Sequence, residues 1–202
     1  MSSESRRLDS ICVYCGSSDA ADPDFLADAA RFGKTLAADG RRLVYGGGGV
    51  GLMGACARAA HEAGGQVLGV IPEFLISKER AYDDVETIVV ESMHQRKMIL
   101  IEEADAFVVL PGGIGTLEEI IELLSWRRLD LVAKPIVFFN PQDFWAPLFE
   151  LFAHTVRARF TPPEFSQAWR VAATVEEILP LLDDMAINGT GPAMHPELAD
   201  RT

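Results

Sequence analysis

The chain is predicted to be α/β: a single domain with a Rossmann-like parallel sheet and helices on both faces. Three observations carry this. Apolar strand-like runs alternate with helix-length segments along most of the sequence, the order that builds a parallel sheet. Three strand ends run into glycine-rich or small polar turns, where such a sheet keeps its ligand site. The 202 residues, 49% of them hydrophobic, suit one core of ordinary size.

In order, an apolar strand over 10–15 closes in the turn Cys15-Gly-Ser-Ser18 and is followed by a helix over 25–39. A strand over 42–45 enters Gly46-Gly-Gly-Gly-Val-Gly51, which opens a helix over 51–63. A strand over 66–71, a polar stretch and a strand over 86–90 lead to a helix over 93–104, with Ser92 and Gln95 at the spacing of a capping box. The strand 106–110 passes through Pro111-Gly-Gly-Ile-Gly115 into an amphipathic helix over 117–129, and a strand follows at 135–139. A helix over 144–157, a Pro162-Pro163 turn, a brief strand over 170–172 and a helix over 175–185 complete the pattern. The domain is expected to span 10–186, with a flexible stretch over 1–9 and a disordered tail over 187–202 that carries Gly189, Gly191, Pro192 and Pro196.

A net charge of −12 argues against general nucleic-acid or anionic-membrane binding, so an anionic ligand must be held by a local positive site. The opening Met1-Ser-Ser-Glu-Ser-Arg-Arg has no apolar stretch of the secretory kind, and no apolar run is long enough to span a bilayer; a cytoplasmic protein is expected. Cys12, Cys15 and Cys56 fit a reducing compartment. Cys12-Val-Tyr-Cys15 matches the C-x-x-C pattern, but it lies within an apparent strand, where residues three apart point to opposite faces, whereas redox pairs open helices.

The run Leu110-Pro-Gly-Gly-Ile-Gly-Thr-Leu-Glu-Glu119 is the most informative feature. Glycines let backbone N–H groups approach a ligand, and a helix start leaves donors unpaired with partial positive charge behind them, so a phosphate is the natural guest. Carboxylates then follow in the helix as candidate acid or base. Thr116-x-x-Glu119 is also a capping box, and Thr174-Val-Glu-Glu177 repeats the spacing before the last helix; the adjacent glycine turn favours function at Glu119.

Gly46-Gly-Gly-Gly-Val-Gly-Leu-Met-Gly54 fits G-x-G-x-x-G in two registers, with Glu73 where a ribose-binding acid belongs in a dinucleotide fold. A dinucleotide, another phosphate ligand reached through Gly46, Gly47 and Gly48, and a tight turn without a ligand are all compatible with it. Arg96 and Lys97 fall near a helix start, against the helix dipole, which a bound anion would offset; pairing with Glu102 or Glu103 is the plain alternative. The four histidines show no zinc-ligand spacing, so no metal is assigned. There is no G-x-S-x-G elbow, no P-loop ending and no lysine marked as a Schiff-base residue.

Together the glycine turn at 46–54, Gly69-Val-Ile-Pro72, Met93-His-Gln-Arg-Lys97 and Pro111-Gly-Gly-Ile-Gly-Thr-Leu-Glu-Glu119 resemble the Lonely Guy family of cytokinin-activating phosphoribohydrolases over roughly residues 10 to 185. The resemblance implies a Rossmann-like homodimer or larger assembly. It would hydrolyse the N-glycosidic bond of an N6-modified adenosine 5′-monophosphate to free base and ribose 5-phosphate, without a redox cofactor. Arg96 and Glu119 match the family's catalytic pair. Lys97 and the turn Gly113, Ile114, Gly115, Thr116, Leu117, Glu118 would contact the nucleotide, Glu79 matches a substrate-binding Glu, and Ser125 stands where plant members carry a binding Thr. Ile114 replaces a Tyr, Gly49 a Ser and Leu100 a Met of the family pattern, differences that bear on base selectivity and make plain AMP the alternative substrate. The rival readings are an oxidoreductase using the 46–54 turn and a non-catalytic nucleotide or cofactor carrier.

Overall fold

The computed structural model describes residues 7–192 and 194. Seven parallel strands, β1 (Ser10–Tyr14), β2 (Arg42–Tyr45), β3 (Val67–Pro72), β4 (Glu86–Val90), β5 (Ala106–Val109), β6 (Ile136–Phe139) and β7 (Arg170–Ala172), form one sheet in the order β4-β3-β2-β1-β5-β6-β7. Six helices connect or follow them: α1 (Pro23–Ala38), α2 (Gly51–Glu62), α3 (Met93–Glu103), α4 (Ile114–Arg128), α5 (Ala146–Arg157) and α6 (Val175–Asn188). The predicted class and alternation are therefore observed.

The central strands are buried along their whole length because both faces are covered. Side chains alternate across the sheet. Ile11 and Val13 enter one core with Phe32, Leu36, Leu52 and Ile178, while Cys12 and Tyr14 enter the other with Phe107, Leu100, Leu123 and Trp145. Cys12 and Cys15 accordingly lie in different cores as free, buried thiols, and burial pushes both thiol pKa values up. The C-x-x-C pattern is not a redox pair.

The chain runs outward from β1 through β2 and β3 to β4, then returns to place β5 on the other side of β1. Reversal of strand order opens a crevice at the carboxyl ends of β1 and β5, the point where open α/β sheets bind ligands.

Several boundaries differ from expectation. Helix α6 continues to Asn188, whose Nδ2 donates to Asp184 Oδ1 at 2.7 Å before Gly189 turns away at φ 93°. Beyond it, the carbonyls of Thr190 and Gly191 accept from Arg127 Nη2 at 2.8 and 3.2 Å. At the other end Leu8 is buried, and the Asp9 N–H donates to Asp105. The expected flexible and disordered segments otherwise fall, at residues 1–6, 193 and 195–202, outside the described residues. Among the described residues, no helix is long and apolar enough to cross a membrane.

Candidate active site

The crevice holds a cavity of about 310 Å³. Its floor comes from two loops tied together by the Gly16 N–H, which donates to the Pro111 carbonyl at 3.0 Å. One wall is the start of α4. Gly113 is the N-cap and supplies no side chain, and the N–H groups of Ile114, Gly115 and Thr116 find no acceptor among the described residues. Gly112 is required for packing, since a Cβ there would stand 2.1 Å from Thr116 Oγ1. A Cβ on Gly113 or Gly115 would meet nothing within 4 Å, so the space above these two residues is open.

The early helix start changes the reading of Glu119. Because α4 begins at Ile114 and not near Leu117, Thr116 is its third residue, 3% exposed, and Glu119 its sixth. The alternative reading, a capping box, is not formed there, and Glu119 lies in the second turn, facing the cavity. The identical spacing at Thr174 and Glu177 does form one, with Glu177 Oε2 accepting from Ala173 N–H at 2.7 Å and Thr174 N–H at 3.4 Å.

Helix α3 brings the cation. Ser92 caps it by accepting from Gln95 N–H at 3.2 Å, while Gln95 Oε1 reaches back to Glu91 N–H at 2.9 Å. Arg96 is then the fourth residue, buried at 4% exposure, with Nη2 3.8 Å from Glu79 Oε2 and 4.0 Å from Glu119 Oε1. Both gaps exceed hydrogen-bond reach. Lys97 points along α4, donating to Glu118 Oε1 at 2.6 Å and standing 3.1 Å from Glu122 Oε2, which raises its pKa. Neither cation pairs with Glu102 or Glu103; Glu103 instead accepts from Arg42 at 2.6 Å.

Glu79 arrives on the loop between β3 and β4. That loop is pinned by the Gly49 N–H, shared between the Glu79 and Arg80 carbonyls at 2.9 Å each, by Tyr82 N–H to the Gly47 carbonyl, and by an Arg80–Asp19 ion pair. Burial raises the pKa of Glu79, against the lowering effect of Arg96. Glu119 is pushed up to about 7, chiefly by burial, with Arg96 opposing. A buried carboxyl with a near-neutral pKa beside a guanidinium is suited to general acid or base work.

Glu79, Arg96, Gly113, Ile114, Gly115, Thr116, Glu118 and Glu119 thus line one cavity. Other predicted residues stand elsewhere. Lys97 sits behind Glu118; Leu117 packs on the apolar core; Ser125 is exposed farther along α4, away from the cavity; and Gly46, Gly47 and Gly48 do not line it. The start of α2, where a dinucleotide fold would seat a pyrophosphate, is closed by protein groups: Gly51 N–H donates to Asp19, and Leu52 and Met53 N–H donate to the Gly16 carbonyl. Sequence reasoning missed Gly16, Ser17 and Ser18, and the apolar wall of Met53, Leu75 and Met93. The Cys15-Gly-Ser-Ser18 turn at a strand end was the available signal for the first group; the second had none.

The family described as "Possible lysine decarboxylase" matches residues 53–182. A probable cytokinin riboside 5′-monophosphate phosphoribohydrolase of Oryza sativa subsp. japonica is 38% identical over 179 residues, 88% of this chain and 73% of that protein. A cytokinin riboside 5′-monophosphate phosphoribohydrolase of Arabidopsis thaliana is 36% identical over 177 residues, 87% and 82% of the two chains. The chain belongs to the Lonely Guy family.

Among solved structures, a molybdenum cofactor binding protein of Rippkaea orientalis shares the fold with a TM-score of 0.68 at 25% identity, covering 89% of this chain and 98% of that one. The molybdenum cofactor carrier protein of Chlamydomonas reinhardtii gives 0.67 at 25%, over 90% and 99%. In this Lonely Guy chain no lysine side chain lines the cavity. Lys34 and Lys78 are exposed, Lys134 donates to the Ile101 and Ala104 carbonyls, and Lys97 pairs with Glu118 and Glu122.

Proposed function

We propose that this chain hydrolyses the N-glycosidic bond of N6-modified adenosine 5′-monophosphates to free base and ribose 5-phosphate, with Glu119 and Arg96 as the catalytic pair. The observation that carries the assignment of residues is the convergence, in one cavity, of a buried carboxyl near neutral pKa, a buried guanidinium and an unpaired helix start. The 5′-phosphate is received by the N–H groups of Ile114, Gly115 and Thr116, which anchors the ribose.

Cleavage develops positive charge at C1′ as the bond electrons leave on N9 of the base. Ionised Glu119 stabilises that charge and takes a proton from the attacking water, whose oxygen bonds to C1′; the proton then returns to the departing base. Arg96 lowers the pKa of Glu119 and offers N–H donors, uncommitted to either carboxylate, to the ribose hydroxyls or phosphate.

The apolar wall of Met53, Leu75 and Met93, with Ile114 85% exposed at the rim, supports preference for a base carrying an apolar N6 substituent over plain AMP. The reading includes a homodimer, in which a second copy covers outward apolar residues of α4 such as Ile121, and a cytoplasmic location that keeps the three thiols reduced. Incubation with AMP, N6-isopentenyl-AMP and their nucleosides, followed by chromatography of the free bases, tests it. Base release fastest from the isopentenyl monophosphate is expected; equal or faster release from AMP makes the enzyme an AMP nucleosidase; binding without release makes it a carrier.

A further inference from the structure

The four-glycine run after β2 does not face the cavity, yet Gly46 touches the catalytic machinery from behind. A Cβ built on Gly46 would stand 1.9 Å from Arg96 Nη2, 3.0 Å from Cζ and 3.1 Å from Met53 Sδ. Gly46 lies outside the left-handed region, so the backbone would accept alanine there; the space would not.

No hydrogen bond to a carboxylate sets the position of this guanidinium. It is buried, its carboxylate neighbours are 3.8 and 4.0 Å away, Nη1 meets Met93 Sδ at 3.9 Å, and Nε has no partner. An arginine anchored by short bonds to a carboxylate would hold its place whatever stood behind it. One held by shape depends on the shape. Met93 Sδ lies against the guanidinium, Met53 Sδ borders the space beside Gly46, and Nη2, the atom nearest Gly46, is also the one nearest Glu79 and Glu119 in the cavity.

We propose that Gly46 is a positioning residue whose missing side chain forms the seat holding Arg96 back from Glu79 and Glu119, leaving its N–H donors for the substrate. The next turn residues extend the same mould. A Cβ on Gly48 would lie 3.2 Å from Glu79 Oε2, and one on Gly49 would strike the Arg80 carbonyl at 2.2 Å. The glycine run is therefore a fitted surface behind two charged side chains and not a phosphate loop.

The inference rests on the assignment of Arg96 to the reaction, and a double-mutant cycle separates the two. Gly46→Ala, Arg96→Ala and the double variant are compared in kcat, in the pH profile and in Tm. Gly46→Ala should lower kcat by about 10- to 100-fold, the scale of a misplacement near 1 Å. It should also move the acid limb of the profile to lower pH, because the displaced guanidinium is driven towards Glu119. In the Arg96→Ala background the same substitution should cost neither Tm nor residual activity, since the group it collides with is gone. If Gly46→Ala fails to fold, the double variant should fold. The seat is overturned by Gly46→Ala activity within about twofold of wild type, by an unmoved or raised acid limb, or by an equal Tm loss in both backgrounds. Full activity of Arg96→Ala would instead remove Arg96 from the reaction, while the Tm cycle still reads the seat.

Discussion

Arg96 Nη2 stands 4.0 Å from Glu119 Oε1, too far for a hydrogen bond and close enough to act on the carboxylate's charge. Burial pushes the Glu119 pKa up to about 7 and Arg96 pulls against it, so this separation tunes the group instead of locking it.

The pH profile follows from that balance. In the proposed mechanism Glu119 works ionised, so kcat/KM should fall as pH drops through about 7. Arg96 lowers the pKa, so Arg96→Ala should carry the acid limb to higher pH in whatever activity remains. A wild-type limb at the ordinary 4.5 would mean that another group titrates.

Glu119→Gln should reduce activity by about 10² or more while leaving the fold intact, since no cap depends on this side chain. Its effect on stability has a definite sign. A carboxyl whose folded pKa is raised contributes stability that is present below about 4.5 and lost as pH rises through about 7. The variant escapes that loss, so its Tm should exceed wild type more at pH 8 than at pH 5, by an amount equivalent to roughly 1–3 kcal/mol. Parallel thermal melts at the two pH values check it; a constant difference would count against a buried, titrating Glu119.

Arg96→Lys should restore little of the activity lost in Arg96→Ala. A single ammonium on a flexible stem cannot reproduce a planar set of donors in a seat shaped for one. Steady-state rates of the two variants decide between shape and charge. Near-complete activity with lysine would leave Arg96 as a point charge only.

The 5′-phosphate should be obligatory, with adenosine a poor substrate beside AMP and inorganic phosphate a competitor. Gly115→Ala separates ligand from fold. Alanine suits a helix better by roughly 0.5–1 kcal/mol, and a Cβ there meets nothing within 4 Å, so Tm should rise slightly. The same methyl group intrudes on the proposed phosphate site, so KM for AMP should rise while the slow adenosine rate stays unchanged. An unaltered KM would move the phosphate away from this turn.

Strand and helix order was legible because apolar periodicity and turn chemistry are local. The strands at 42–45, 86–90 and 170–172 lie where the pattern puts them. The start of α4 was not, because Thr116 and Thr174 carry the same local signal. Only the loop path from β5 makes Gly113 the cap and buries Thr116 against Gly112 at the cavity. Ser125 shows the converse: the family resemblance alone suggested it, and the helix carries it past the cavity to an exposed position.

By itself the sequence determined the α/β class, the strand ends that bear turns, and the residue types able to cleave a nucleotide. Tertiary structure alone decided that Glu79, Arg96 and Glu119, from three separate segments, share one space, and that Gly46 and Gly48 lie against Arg96 and Glu79. The division has a physical cause. Periodicity, capping and turn preference depend on neighbours a few residues away, whereas desolvation, charge coupling and the room left by a missing Cβ depend on groups that only the folded chain brings together.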